Sequence, residues 1–64
     1  MNLYTKIVIF MKDEYEPVYP GEIATCLDIH WFIVNKALDA MVKKGMIESL
    51  HVPYDSGRCV YKLT

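Results

Sequence analysis

The clearest pattern along the chain is a run of apolar residues at helical spacing near its middle. From Val34 onward these side chains recur three or four positions apart, which places them on one continuous face of a helix. Lys43 and Lys44 follow, where the helix dipole favours cations, and Gly45 suits the left-handed position after the last turn. The pattern predicts a helix over about residues 30–44, whose core-facing side chains are Val34, Ala37, Leu38, Met41 and Val42.

The segment over residues 3–13 has a second, weaker helical pattern. Asn2 precedes it and is a favourable N-cap. The run from Lys6 to Phe10 also has the composition of a strand. We predict a helix because the apolar spacing continues beyond that run.

A short third helix is predicted over residues 21–27. Pro17 and Pro20 precede it and bracket an extended Val-Tyr piece that suits a brief edge strand. Asp28 follows and tolerates the backbone of a tight turn. The short connection to the helix over 30–44 is typical of a helix-turn-helix.

The remainder of the chain has the pattern of a β-hairpin over about residues 46–63. Two segments rich in Val, Ile, Leu and Tyr flank the turn-forming segment 53–58, which contains proline, aspartate, serine and glycine. In the second strand Cys59, Tyr61 and Leu63 alternate with Arg58, Val60 and Lys62, and we expect the first three to face the core.

Composition indicates one small domain over residues 1–64. Hydrophobic residues make up 53% of the 64 residues, enough for a core although the length is near the lower limit for folding without disulfides or metals. No apolar run is long enough to span a bilayer, and no signal peptide is indicated. The two cysteines, Cys26 and Cys59, are far apart, so we expect a protein of the reducing cytoplasm, without a membrane association.

The charge is distributed unevenly. The net charge is -1. Residues 1–28 contain two basic and five acidic side chains, whereas residues 29–64 contain five basic and three acidic ones. A polyanion would therefore prefer the C-terminal half.

The segments Glu22–Ile29 and Val34–Glu48, followed by Gly57–Thr64, resemble the winged helix-turn-helix regulators of the MarR, PadR and ArsR type. The resemblance covers about two-thirds of the chain without gaps. It implies an α+β fold with three helices and a two- to three-stranded antiparallel wing sheet. It also implies a DNA-binding transcriptional regulator of prokaryotic or viral type, most simply a repressor.

The resemblance further implies that the helix over 30–44 enters the major groove of double-stranded DNA while the wing, residues 53–58, lies on the backbone. Asn35 suits an adenine edge, and Lys36 suits guanine or a phosphate. The expected DNA-binding residues are His30, Trp31, Phe32, Asn35, Lys36, Lys43, Tyr54, Arg58 and Lys62.

Trp31 and Phe32 are unusual for the first turn of such a helix, where relatives are mostly small, polar or basic. Three explanations stay open: packing onto the scaffold, contact with a protein partner, or contact with thymine methyl groups. A protein-protein interaction module that uses Trp31 and Phe32 is therefore the alternative to a DNA-binding regulator.

One domain of this type presents one recognition helix, so we expect a homodimer. The chain ends before the C-terminal dimerisation helix of many relatives, so the sequence suggests a minimal form that dimerises through the first helix and its Tyr4, Val8 and Tyr15. No catalytic motif is present, and we expect neither an enzyme nor a cofactor. Cys26, His30, His51 and Cys59 are of types that bind zinc, but no tight pair is present and we expect no metal site.

Overall fold

The computed structural model describes residues 2–14, 17–52 and 59–64, which form three helices and a two-stranded antiparallel sheet. The α+β winged-helix fold class predicted from the sequence is confirmed. The predicted wing segment 53–58 lies outside the described residues. In chain order the elements are α1 (Leu3–Asp13), α2 (Pro20–Leu27), α3 (Trp31–Lys43), β1 (Ile47–His51) and β2 (Cys59–Leu63).

The first two helices begin at residues that satisfy their free backbone donors. The Asn2 Oδ1 atom accepts a hydrogen bond of 2.8 Å from the backbone N–H of Thr5 at the start of α1. Helix α2 begins at Pro20, one residue earlier than predicted, because proline has no N–H to satisfy at this position. The Tyr19 N–H donates to the Glu22 carboxylate at 3.3 Å.

The connection between α2 and α3 is a tight turn. Asp28 adopts the left-handed backbone conformation, with φ of 55°. The N–H of Ile29 then donates to the carbonyl of Ala24 at 3.0 Å, which closes the end of α2. His30 caps α3, since its Nδ1 atom accepts from the Phe32 N–H at 3.1 Å. The predicted helix-turn-helix is therefore built by local hydrogen bonds on both sides of Asp28.

All five elements contribute to one core. The buried stripe of α3 lies at its centre, and α1 contributes Ile7 and Met11. The core residues are Ile7, Met11, Val18, Ile23, Val34, Ala37, Leu38, Met41, Ile47 and Tyr61. Because the stripe of α3 is covered, its opposite face is directed to solvent.

The two strands pair in register from Ile47 opposite Leu63 to His51 opposite Cys59. The extended piece before α2 joins this sheet by a single bridge. Val18 and Tyr61 exchange two backbone hydrogen bonds of 2.9 Å. Tyr61 is buried, and both Cys59 and Leu63 pack against the core, which confirms their expected orientation.

None of the helices within the described ranges is long and apolar enough to cross a membrane.

Candidate functional site

The solvent-facing side of α3 is the candidate site. Phe32, Lys36, Asp39 and Lys43 are separated by four, three and four positions, so they lie on one face of the helix. All four are exposed, and this face is opposite the buried stripe. We call these four residues the outer face of α3. It combines two cations, one carboxylate and one aromatic ring.

The first turn of α3 carries an exposed apolar patch, which consists of Trp31, Phe32 and Ile33. Their side chains are 58%, 52% and 51% exposed, respectively. Packing onto the scaffold was one explanation for Trp31 and Phe32, and it is wrong because more than half of each residue is open to solvent. The apolar residues in the first turn of α3 therefore lie on the protein surface and are exposed to solvent.

The rings of the apolar patch support one another. Trp31 and Phe32 meet edge to face, with ring centroids 6.0 Å apart. The Trp31 ring also stacks on His30 at 5.6 Å between centroids. Both arrangements are favourable for aromatic pairs and restrict the side-chain conformations that the rings adopt.

Lys36 extends the patch with a positive charge. Its Nζ atom lies 5.3 Å from the centroid of the Phe32 ring, within the range of a cation–π interaction. The side chain remains exposed. An anion that contacts Lys36 would therefore also be adjacent to an aromatic ring.

Asn35 lies beside the outer face rather than in its middle. Its Nδ2 atom donates to the backbone carbonyl of Trp31 at 3.0 Å, which orients the side-chain amide. The residue is partly buried and lines an open groove of about 580 Å³ together with Tyr19, Trp31 and Tyr61. One of its amide hydrogens is thus engaged within its own helix, and its Oδ1 atom is left to accept.

The other predicted contact residues are dispersed. His30 and Lys43 are exposed at opposite ends of α3. Lys62 is on β2, where its Nζ atom lies 3.8 Å from a carboxylate oxygen of Glu48 on the neighbouring strand. Tyr54 and Arg58 lie outside the described residues. The described part of the fold therefore concentrates the predicted residues on α3.

Sequence reasoning did not select Asp39, although its spacing from Lys36 and Lys43 would have identified it as part of the outer face. Asp39 also affects β2. Burial raises the pKa of Tyr61 above its ordinary value of 10.0, and the negative charges of Asp39 and of ionised Cys59 raise it further. The carboxylate therefore acts electrostatically on the core tyrosine next to the groove.

Within residues 2–14, 17–52 and 59–64, no group of three His, Cys, Asp or Glu side chains is arranged to hold a metal ion. Cys26 and Cys59 are free thiols.

No protein-family model matches the sequence, and none of the curated proteins matches it. Solved structures do match. The adhesin competence repressor AdcR from Streptococcus pyogenes has a TM-score of 0.84 at 20% identity, over 100% of this chain and 47% of that one. A variant of ZitR from Lactococcus lactis has a TM-score of 0.82 at 23% identity, over 95% of this chain and 40% of that one.

A further similar structure is named as the zinc-dependent MarR family transcriptional regulator AdcR in its Zn(II)-bound state. It has a TM-score of 0.66 at 30% identity, over 100% of this chain and 44% of that one. This chain thus spans less than half the length of the structures that it matches. The two AdcR structures are named as a repressor and as a transcriptional regulator.

Proposed function

From the winged helix-turn-helix fold that this chain shares with MarR-family transcriptional regulators, we propose that it binds double-stranded DNA as a transcriptional repressor rather than acting as an enzyme. One observation carries the proposal. The outer face of α3, the second helix of the helix-turn-helix, is exposed along its whole length and presents Lys36 and Lys43. In proteins with this motif the second helix is the one that enters the major groove.

Six of the predicted contacts have a role in this arrangement. Lys36 and Lys43 neutralise phosphates or reach guanine, while the Oδ1 atom of Asn35 accepts from the exocyclic amine of adenine. Lys62 would exchange Glu48 for a phosphate at little cost, because an exposed ion pair contributes only about 0–1 kcal/mol. We also propose that the wing predicted over residues 53–58, with Tyr54 and Arg58, contacts the DNA backbone beside the groove.

Asp39 separates the two lysines of the outer face. A carboxylate at this position repels phosphates, but it can accept a hydrogen bond from the N4 amine of cytosine. We therefore assign Asp39 to base selection and not to general affinity.

We further propose that the DNA-bound form is a homodimer. Tyr4, Ile9 and Met46 are exposed large hydrophobic residues, and with Val8 they line an open groove of about 510 Å³ along α1. An exposed apolar surface of this kind is typical of an interface. The sequence-based assignment to Tyr4 and Val8 is retained, whereas Tyr15 lies outside the described residues.

The proposal is tested by fluorescence polarisation with random-sequence and genomic duplexes across salt, from about 50 mM to about 200 mM. Binding should weaken steeply, because each neutralised phosphate releases counterions and contributes about one to the slope of log K against log salt. An affinity that does not change with salt would refute DNA binding through phosphates.

A pair of lysine variants assigns the binding to α3. Lys36→Ala should reduce affinity about fivefold, for the loss of one contact of about 1 kcal/mol, and should lower the salt slope by about one. Lys6→Ala is the matched control, since Lys6 is also an exposed lysine but lies on α1. Equal effects of the two variants would exclude α3 as the DNA-binding helix.

A further inference from the structure

We propose that the apolar patch of Trp31, Phe32 and Ile33 recognises the C5-methyl groups of thymine, so that this protein selects duplex sites by the positions of their thymines. The inference rests on the proposed function, because it requires α3 to lie in the major groove. It adds the chemical class of base that the first turn of α3 recognises.

The position of the patch supports this inference. The residues at the N-terminal end of a recognition helix are those that reach base edges. In this chain that end is occupied by three large apolar side chains, each more than half exposed. Among the groups that base pairs present in the major groove, the thymine methyl is the one that favours apolar contact.

Two polar groups near this turn are engaged within the protein, which limits what the turn can read by hydrogen bonding, although the Oδ1 atom of Asn35 remains available to accept. The Nδ1 atom of His30 accepts from the Phe32 N–H, and the side-chain amide of Asn35 donates to the Trp31 carbonyl. The patch therefore offers ring edges and aliphatic carbons to its ligand. A recognition turn of this composition discriminates by methyl groups.

The charge beside the patch supports a nucleic acid as the occupant. The Nζ atom of Lys36 is held 5.3 Å from the Phe32 ring, and Lys43 continues the same face. A ligand that matches both features must carry negative charge next to apolar groups, as the phosphates and thymine methyls of a duplex do. The packed rings of Trp31 and Phe32 also lose little conformational freedom on binding.

The experiment replaces thymine by deoxyuridine. Uracil keeps the O4 acceptor and the pairing with adenine, and it lacks only the methyl group. Duplexes of about 20 base pairs are first selected from a random pool by the protein. The selected duplex is then titrated with thymine or with deoxyuridine at each thymine in turn. We expect a loss of about fourfold in affinity for each methyl group that the patch buries.

Two variants assign the effect to the patch. Trp31→Ala combined with Phe32→Ala should bring the ratio of thymine to uracil affinities close to one. Cys26→Ala is the control: it shortens an exposed side chain on α2 that belongs to neither the apolar patch nor the proposed dimer interface, and the ratio should be unchanged. Circular dichroism verifies that both proteins fold.

The possible failures are distinguishable. If the unaltered protein binds the thymine and uracil duplexes equally, with the usual salt dependence, the methyl recognition is overturned and the DNA-binding proposal stands. If the ratio is unchanged in the double variant, the assignment to the patch is overturned. If no duplex binds in a salt-dependent manner, both proposals are overturned.

Discussion

Individual residues at the edge of α3 connect the candidate site to the core. Tyr61 is only 8% exposed, is bridged to Val18 through the backbone, and experiences the charge of Asp39 from α3. Tyr61 thus links its own strand β2 both to the extended piece that precedes α2 and to helix α3. Burial and the negative charge of Asp39 raise the pKa of the Tyr61 hydroxyl.

This pKa leads to a prediction about alkaline stability. The unfolded chain loses the Tyr61 proton at a pH of about 10, whereas the folded chain retains it to higher pH. Between these two pKa values the folded state binds more protons than the unfolded state. The contribution of the protonated Tyr61 hydroxyl to the free energy of unfolding is therefore lost as the pH rises through the pKa of the folded state. Tyr61→Phe should remove this part of the decline in stability above about pH 10.

Urea unfolding of the two proteins at several pH values measures the effect. Tyr4→Phe is the control, since Tyr4 is at the surface. It should retain the alkaline decline of the unaltered protein. Parallel pH profiles for the unaltered protein and Tyr61→Phe would contradict the assignment.

At the scale of elements, the ends of the helices depend on backbone conformations that the sequence marks clearly. Gly45 has φ of 76° just after α3, and its N–H donates to the carbonyl of Val42 at 3.0 Å. The chain can then turn into β1 at Ile47. Gly21, in contrast, lies within α2 and has an ordinary helical backbone.

These two glycines provide a matched test. An added Cβ atom would meet nothing within 4 Å at either position. Gly45→Ala should lower the free energy of unfolding by about 1–2 kcal/mol, because a side chain disfavours the left-handed region. Gly21→Ala should raise it by up to about 1 kcal/mol, since alanine is the better helix former. Thermal unfolding followed by circular dichroism compares them, and a stabilising effect of Gly45→Ala would contradict the role of this turn.

At the scale of the whole molecule, two exposed apolar surfaces lie on different elements. One is the apolar patch on α3, and the other surrounds Ile9 and Met46 along α1. Lys44 connects the end of α3 to α1, since its Nζ atom lies 5.1 Å from the Tyr4 ring. We assign the first surface to DNA and the second to the other subunit, so their substitutions should have separable effects.

The prediction for the dimer uses the same substitution on each surface. Ile9→Glu should shift the protein to monomer, because a charge would be buried in the subunit interface. Ile33→Glu should leave the dimer intact, although Ile33 is comparably exposed at 51% against 44% for Ile9. Sedimentation velocity over a range of concentrations measures both, and an unaltered protein that remains monomeric even on DNA would contradict the proposed homodimer.

Local pattern was sufficient to predict the elements of this protein. The spacing of apolar residues gave the core stripe of α3, Asn2 marked the start of α1, and Asp28 and Gly45 marked turns, because these signals depend on neighbours within a few positions. The alternation in β2 also indicated that Tyr61 faces the core. These features made the winged-helix fold predictable.

Only the tertiary structure decided which of the remaining side chains are available to a partner. Helical periodicity places Trp31, Phe32 and Asn35 around the axis of α3, but whether they are covered depends on α2 and β2. The bridge from Val18 to Tyr61 and the proximity of Lys62 to Glu48 likewise arise from segments that approach one another only on folding. Exposure and pairing are properties of packed elements, whereas periodicity is a property of one element, and this is why the sequence by itself determined the fold of this protein but not its surface.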